Sequence, residues 1–376
     1  MQSEVAVVGA GVVGSAVALA LARRGVAVAL LEAESAPGLA ASGTNSGIVH
    51  SGFDSAPGEL ETKLILRSAA LRDPVLEALG VPLLRCGAVV RPHDPGQLGA
   101  VKELGANAAL NGVESALHDD GSLSVPREAV TDPIAHTTGL AAAAQRHGAE
   151  LHMSQRVSAI RREGEGLAVE TEGGDQLRCQ VLVNCAGLHA DEVARLAGDD
   201  SFEIYPRKGE FLVFDPPGGE PLEEIRLPAP SERTKGVLVF PTVDGKVVAG
   251  PTAIDGDDKS DWSVRPEARD EILPKATELL PELEGAEPIA SYAGLRPAGR
   301  GVNYLIGASR ECPGLVNVAA IRSTGVTASL GIAERVTEIV AEQGVGLGPE
   351  APLQAAQAPP SEGPWWRRVA EYRGLA

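Results

Sequence analysis

Gly9-Ala10-Gly11-Val12-Val13-Gly14 fits G-x-G-x-x-G, a spacing that grips phosphate through backbone groups. Gly9 permits a tight turn, Gly11 lets a pyrophosphate approach the main chain, and Gly14 lets a helix pack close on a strand. The helix N-terminus that follows offers unpaired N–H groups and partial positive charge. Leu31-Glu32 ends the next apolar run. A carboxylate there accepts from both ribose hydroxyls and repels a 2′-phosphate, which favours FAD or NAD over NADP. Two later segments separate those two. Ala41-Ser42-Gly43-Thr44-Asn45-Ser46-Gly47 is a polar, glycine-permitted loop where a molecule as long as FAD needs a second cradle near its ribityl chain. Ser323-Thr324-Gly325-Val326-Thr327 opens a helix whose N-terminus, aimed at the flavin C2 carbonyl, would stabilise the charge of the reduced ring.

Oxidising a carbinol requires a hydride to leave carbon for the flavin and a hydroxyl proton to be removed. His50, just after the polar loop, is the leading proton acceptor, because imidazole titrates near neutrality. The competing reading gives it a structural bond near the ring. Arg296, in Ala293-Gly294-Leu295-Arg296-Pro297, is the best anion anchor, since a strand-borne guanidinium can grip a carboxylate or phosphate in two places. Lys208, Tyr292 and Arg322 are weaker substrate contacts. Glu210 is expected to pair with a nearby base, and His189 to pack or cap. No histidine or cysteine context supports covalent flavin attachment, and no metal site is indicated.

These residues need a scaffold. Val5–Val8, a helix over 15–24 stopped at Gly25, and a strand over 26–31 form a βαβ unit with strands buried on both faces. Helices are expected over 59–79, interrupted near Pro74, over 133–148 after an Asp132 cap, over 266–281, and from the Ser-Thr-Gly turn to about 340. Strands are expected around 86–92, 157–160, 167–171, 181–184, 211–214, 237–240, 246–249 and 315–319. Asp244-Gly245 marks a hairpin between two of them. The fold class is α/β plus α+β. A discontinuous Rossmann-type FAD-binding domain takes residues 1–85, 140–200 and 305–345, with an antiparallel-sheet substrate domain inserted as 86–139 and 201–304. Residues 344–364, rich in Pro, Gly, Ala and Gln, read as a loosely packed strap, and 346–376 are set apart as a C-terminal strap.

Composition narrows the partners. The 376 residues carry 33 Lys and Arg against 51 Asp and Glu, a formal charge of −18 that would repel nucleic acid. An anionic substrate then needs a local basic pocket. The four cysteines lack metal-type spacing and read as inert thiols. No apolar stretch reaches the ~20 residues that span a bilayer, and the start lacks a signal peptide's basic and apolar regions. A soluble, cytoplasmic protein is expected, with peripheral membrane association left open.

Seven segments, in order, resemble the D-amino-acid-oxidase-like flavoprotein superfamily. They are VAVVGAGVVG, ASGTNSGIVHSG (41–52), VNCAGLHAD (183–191), YPRKGEF (205–211), GVLVFPTVDGKVVAGPTA (236–253), YAGLRPAG (292–299) and IRSTGVTAS (321–329). The likeness is greatest to the branch of L-2-hydroxyglutarate oxidase and FAD-dependent glycerol-3-phosphate dehydrogenase. It implies non-covalent FAD between two domains, with Gly9, Gly11, Gly14 and Glu32 at the adenosine half and Ser42, Thr44, Asn45, Ser46 and Gly47 towards the ribityl chain or ring. It further implies Val157 by the adenine, Cys185-Ala186-Gly187 near the pyrophosphate, and Gly325, Val326 and Thr327 at the pyrimidine end. An arginine at the place of Arg296 binds substrate carboxylate in such proteins. This chain departs from relatives in having Thr324 where proline is common and Thr44 where histidine is frequent. The implied activity is hydride transfer from the CH–OH of a small anionic metabolite, L-2-hydroxyglutarate-like or sn-glycerol 3-phosphate. An amine or amino-acid oxidase is the alternative, and a non-catalytic flavin-binding module the third. The electron acceptor, whether oxygen, quinone or another carrier, is not legible.

Overall fold

A computed structural model describes residues 2–230, 236–355 and 363–375. Residues 356–362 and 376 of the expected strap, and 231–235 of the expected substrate region, lie outside the described residues. The α-helices among them are α1 (Val12–Ala22), α2 (Leu60–Ala78), α3 (Leu98–Leu110), α4 (Pro133–Arg146), α5 (Ala190–Leu196), α6 (Ala268–Leu279), α7 (Gly325–Glu342) and α8 (Trp365–Tyr372).

The Val5–Val8 strand is central in a six-stranded sheet, parallel to Val28–Leu31 on one side and Val181–Asn184 on the other. Leu315–Ala319 continues the parallel set, and Leu305–Ala308 closes that edge antiparallel. Side chains alternate between two cores. Val5 and Val7 join the helices α1, α4 and α7, while Ala6 and Val8 face an antiparallel meander over 157–179. All four residues are buried, which is why the run reads as continuously apolar.

The second large sheet is mostly antiparallel and centred on the pairing of Ile204–Phe214 with Ala290–Gly299. Its register sets Arg207 against Arg296, Gly209 against Gly294 and Phe211 against Tyr292. Val237 to Gly250 folds back as the expected hairpin, with Gly245 at φ +80°. Helix α6 covers one face, and an aromatic cluster including Phe211, Phe240, Tyr292 and Trp365 fills the other.

Helix boundaries follow local chemistry. Asp132 Oδ1 accepts from the N–H groups of Ile134 and Ala135, and Pro133 occupies the first turn of α4, where no donor is needed. Helix α2 is not interrupted at Pro74. The hydrogen bond that Pro74 cannot make would have met the carbonyl of Ala70, an exposed residue of α2. Past the expected loose strap of residues 344–364, part of which lies outside the described residues, the chain forms a packed helix. Trp365, Trp366 and Val369 of α8 are buried, and Trp366 Nε1 donates to Asp244 at 3.2 Å.

His136 on α4 is fully buried, and neither ring nitrogen has a hydrogen-bond partner among the described residues. Burial, with Arg72 nearby, pushes its pKa down to about 4 from 6.5. The unfolded chain therefore takes up a proton first as pH falls. Stability is expected to be intact above pH 6.5 and to decline from there towards pH 4, by up to about 3 kcal/mol. Denaturant melts across that window should show the slope in the native chain and lose it in His136→Leu.

Candidate functional site

One cavity of about 760 Å³ runs over the carboxyl ends of the parallel strands, the usual ligand crevice of an open α/β sheet. Gly9 follows the first strand, Glu32 the second, Cys185-Ala186-Gly187 the third and Ala320-Ile321-Arg322 the fourth; all line it. The three fingerprint glycines are there for different reasons. A Cβ on Gly9 would lie 2.5 Å from the Cys185 carbonyl oxygen, at φ +99°, and one on Gly14 would lie 1.9 Å from the Gly9 oxygen. Gly11 has ordinary backbone angles, and its Cβ would meet only Ser42 Oγ at 3.1 Å. The space above Gly11 is kept clear for something other than protein, as a diphosphate laid on the α1 N-terminus requires.

Glu32 is held ready for a ribose. Its Oε2 accepts from Ala10 N–H at 2.6 Å and its Oε1 from Glu34 N–H at 2.9 Å. Burial raises its pKa and these backbone donors pull it back. The second cradle is tied to the first, since Ser42 Oγ accepts from Val12 N–H at 3.0 Å. It is also tied to α7, since Asn45 Nδ2 donates to the Ser323 carbonyl at 2.9 Å. Gly325 and Val326 bring the α7 N-terminus into the cavity wall, and Val157 and Ser158 close the far end. Thr324 caps with no side-chain bond to its own helix; instead its hydroxyl meets Tyr304 OH at 2.7 Å and donates to Glu61 Oε1 at 2.9 Å. An oxygen-bearing residue thus anchors this turn to α2 where a proline would only stiffen it. These donors, cleared glycines and wall fit the dinucleotide that the fingerprint requires.

The sequence model of the family described as FAD dependent oxidoreductase, DAO, matches residues 4–339. The chain belongs to the DAO family of FAD-dependent oxidoreductases. Glycerol 3-phosphate dehydrogenase of Caloramator mitchellensis is 30% identical over 353 residues, covering 90% of this chain and 73% of its own. L-2-hydroxyglutarate dehydrogenase of Escherichia coli K12 is 26% identical over 266 residues, covering 66% of this chain and 63% of its own. Among solved structures, dithionite-reduced L-alpha-glycerophosphate oxidase of Mycoplasma pneumoniae with FAD bound superposes with a TM-score of 0.87. Its identity is 23%, covering 96% of this chain and 99% of that one.

Within this DAO-family fold the expected site residues fall into three groups. Gly9, Gly11, Val12, Val13, Glu32, Ala41, Ser42, Asn45, Val157, Cys185, Ala186, Gly187, Gly325 and Val326 line the cavity. Ala10, Gly14, Leu31, Thr44, Ser46, Gly47, Ser323, Thr324 and Thr327 do not, and shape it from behind. Thr44, for instance, is pressed by the substrate sheet, because a Cβ on Gly294 would lie 2.8 Å from its carbonyl oxygen. The third group, His50 and Arg296, does not line the cavity but adjoins residues of its wall or of α7. His50 N–H donates to Thr327 Oγ1 at 3.2 Å, one turn into α7. Arg296 precedes Pro297, which lines the cavity and whose carbonyl accepts from Arg322 N–H at 3.1 Å.

His50 Nδ1 is 2.8 Å from Oε2 of Glu128, a carboxylate 1% exposed whose other oxygen accepts from Ser51 N–H and hydroxyl. Because a carboxylate only accepts, Nδ1 carries the proton and Nε2 is the basic nitrogen. Sequence reasoning missed Glu128. It lies 78 residues from His50 between two short strands, and nothing in Pro126-Arg127-Glu128 marks it.

Arg296 lies across its neighbouring strand, and a Cβ on Gly209 would come within 2.1 Å of its guanidinium. Among the described residues its guanidinium donates only to the Thr252 carbonyl, at 3.4 and 3.5 Å, and has no carboxylate partner. Burial, then Arg207 and Arg322, push its pKa down to about 10, which leaves it charged at neutrality. Two expected substrate contacts are otherwise engaged. Lys208 donates to Asp261 at 2.5 Å and to the Ser263 carbonyl, and strand alternation turns it to the face opposite Arg207 and Arg296. Tyr292 is stacked 4.7 Å from Phe211 and edge-on to Trp365 in the aromatic core, with its hydroxyl sealed. Lys208 is thus engaged in an ion pair and Tyr292 in aromatic packing. Glu210 pairs with Arg265 at 2.8 Å, and His189 with Glu192 at 2.9 Å. No helix among the described residues is long and apolar enough to cross a membrane.

Proposed function

We propose that the enzyme oxidises the carbinol of a small dianion, sn-glycerol 3-phosphate in the first place, with L-2-hydroxyglutarate the alternative of the same chemistry. The observation that carries this reading is Arg296, a largely buried cation with no counter-ion among the described residues, beside two further arginines at the ring end of the cavity. Such a charge is costly alone and is relieved by an anion of matching geometry. The length and identity of the match to a glycerol 3-phosphate dehydrogenase favour a phosphate as that anion.

Bound FAD would supply the hydride acceptor. Arg296 holds the anionic end of the substrate, and Gly209 leaves the guanidinium room to lie flat. His50 takes the hydroxyl proton on Nε2, and Glu128 stabilises the imidazolium that results. In this reading residues 1–85, 140–200 and 305–345 hold the cofactor, and 86–139 and 201–304 present the substrate. The cysteines of the chain are free, as suits a reducing cytoplasm. Dye-coupled turnover tests the assignment. Glycerol 3-phosphate should support it while glycine and other amino acids do not; turnover with amino acids alone would reassign the enzyme to amine oxidation.

A further inference from the structure

The two cradles that would receive the FAD diphosphate, Gly9–Gly14 and Ala41–Gly47, contain no lysine or arginine. A helix N-terminus alone would face about two negative charges. The other cations in the cavity wall are committed or distant. Lys259 Nζ donates to Asp191 at 2.7 Å and Glu192 at 2.9 Å, and Arg156 faces Glu172 at the adenine end. Arg322 sits against Pro297 at the ring end.

Arg373, immediately after α8, is different. It lines the cavity, and its Nη2 is anchored by the Leu39 carbonyl at 3.0 Å and Glu34 Oε1 at 3.2 Å. Its guanidinium carbon lies 4.4 Å from the centre of the Trp262 ring, another cavity residue. Nη1 has no protein partner among the described residues. Glu34 stands two residues beyond the ribose carboxylate, and Leu39 directly precedes Ala40, Ala41 and Ser42 of the second cradle. The anchored cation therefore spans the stretch between ribose and ribityl ends, and Tyr372 OH fastens the same turn to Glu34 at 2.9 Å. Arg373, Tyr372 and the rest of α8 lie past residues 4–339, the part that matches the family model, whereas their partners Glu34, Leu39 and Trp262 lie within it.

We propose that Arg373 is the diphosphate-binding cation of the FAD site, and that α8 is a latch whose seating retains the cofactor. The proposal rests on FAD occupying this cavity and is independent of the substrate. Competition against FAD in the full-length apoprotein tests it, with ADP and adenosine as probes, alongside the rate of FAD release from the holoprotein. Arg373→Gln should weaken ADP about 10-fold or more, leave adenosine unchanged and speed FAD release similarly, as loss of a charge-assisted bond implies. Arg373→Lys should keep most of the ADP affinity. Unchanged ADP binding in Arg373→Gln, or equal losses for ADP and adenosine, would overturn the proposal. Should that variant not fold, the wild type decides: rising ionic strength must weaken ADP and spare adenosine, and equal behaviour of the two contradicts the assignment.

Discussion

Arg296→Leu is expected to raise the KM for glycerol 3-phosphate about 100-fold or more, since removing one partner of a buried charge pair costs several kcal/mol. Flavin content should not change, because Arg296 does not line the cofactor cavity. Nor should stability fall. The guanidinium is largely buried, has among the described residues only two long contacts to a carbonyl, and is crowded by like charges. Leucine removes that burden, so the melting temperature should hold or rise. An arginine serving the sheet alone would behave in the opposite way, with a lower melting temperature and an unaltered KM. Steady-state kinetics and a thermal melt on the same preparation distinguish the two.

The second large effect is expected at His50. His50→Asn should lower kcat by roughly 10²- to 10⁴-fold, the span general-base removal commonly costs, with KM little changed and the flavin retained. Glu128→Gln keeps the size of the group and removes its charge, so the imidazolium formed during turnover loses its stabilising partner. That variant should lose less than His50→Asn, and the double variant should lose no more than His50→Asn alone, because Glu128 acts through the ring. Additive losses would mean that Glu128 has a separate role. Rapid-reaction measurement of flavin reduction under anaerobic conditions reads the step itself, free of reoxidation.

How much of this was legible in the chain depends on the range of the interactions involved. The first βαβ unit was, because its strand is buried on both faces and the glycine spacing is a local pattern; Gly14 answers to the nearby Gly9 oxygen, although Gly9 itself answers to the distant Cys185 carbonyl. So was the α4 start, where Asp132 and Pro133 encode the cap locally. The second sheet was read only in part. Ile204–Phe214 is one eleven-residue strand, yet its first half carries Arg207, Lys208 and Glu210, whose charges are satisfied by Asp255, Asp261 and Arg265 brought from elsewhere. No periodicity announces such a strand. Helix α8 was missed for a related reason, as its two tryptophans gain meaning only against Tyr292 and Asp244. Glu128 is the sharpest case, a buried carboxylate beside His50 that only tertiary folding identifies. Lys208 was a candidate by residue type, and its place on the strand face opposite Arg207 and Arg296, with Asp261 as partner, is set by folding that the sequence does not announce.

The proposed function stands on a cavity that would present FAD to the nearby cation Arg296 and the carboxylate-backed His50. Anaerobic titration of the purified flavoprotein with sn-glycerol 3-phosphate tests that most directly. The yellow flavin should bleach stoichiometrically with the phosphate ester, and should remain oxidised when unphosphorylated glycerol or glycine is added instead. Bleaching by glycerol or glycine as readily as by the phosphate ester would contradict an anion-anchored carbinol site, whatever the fold.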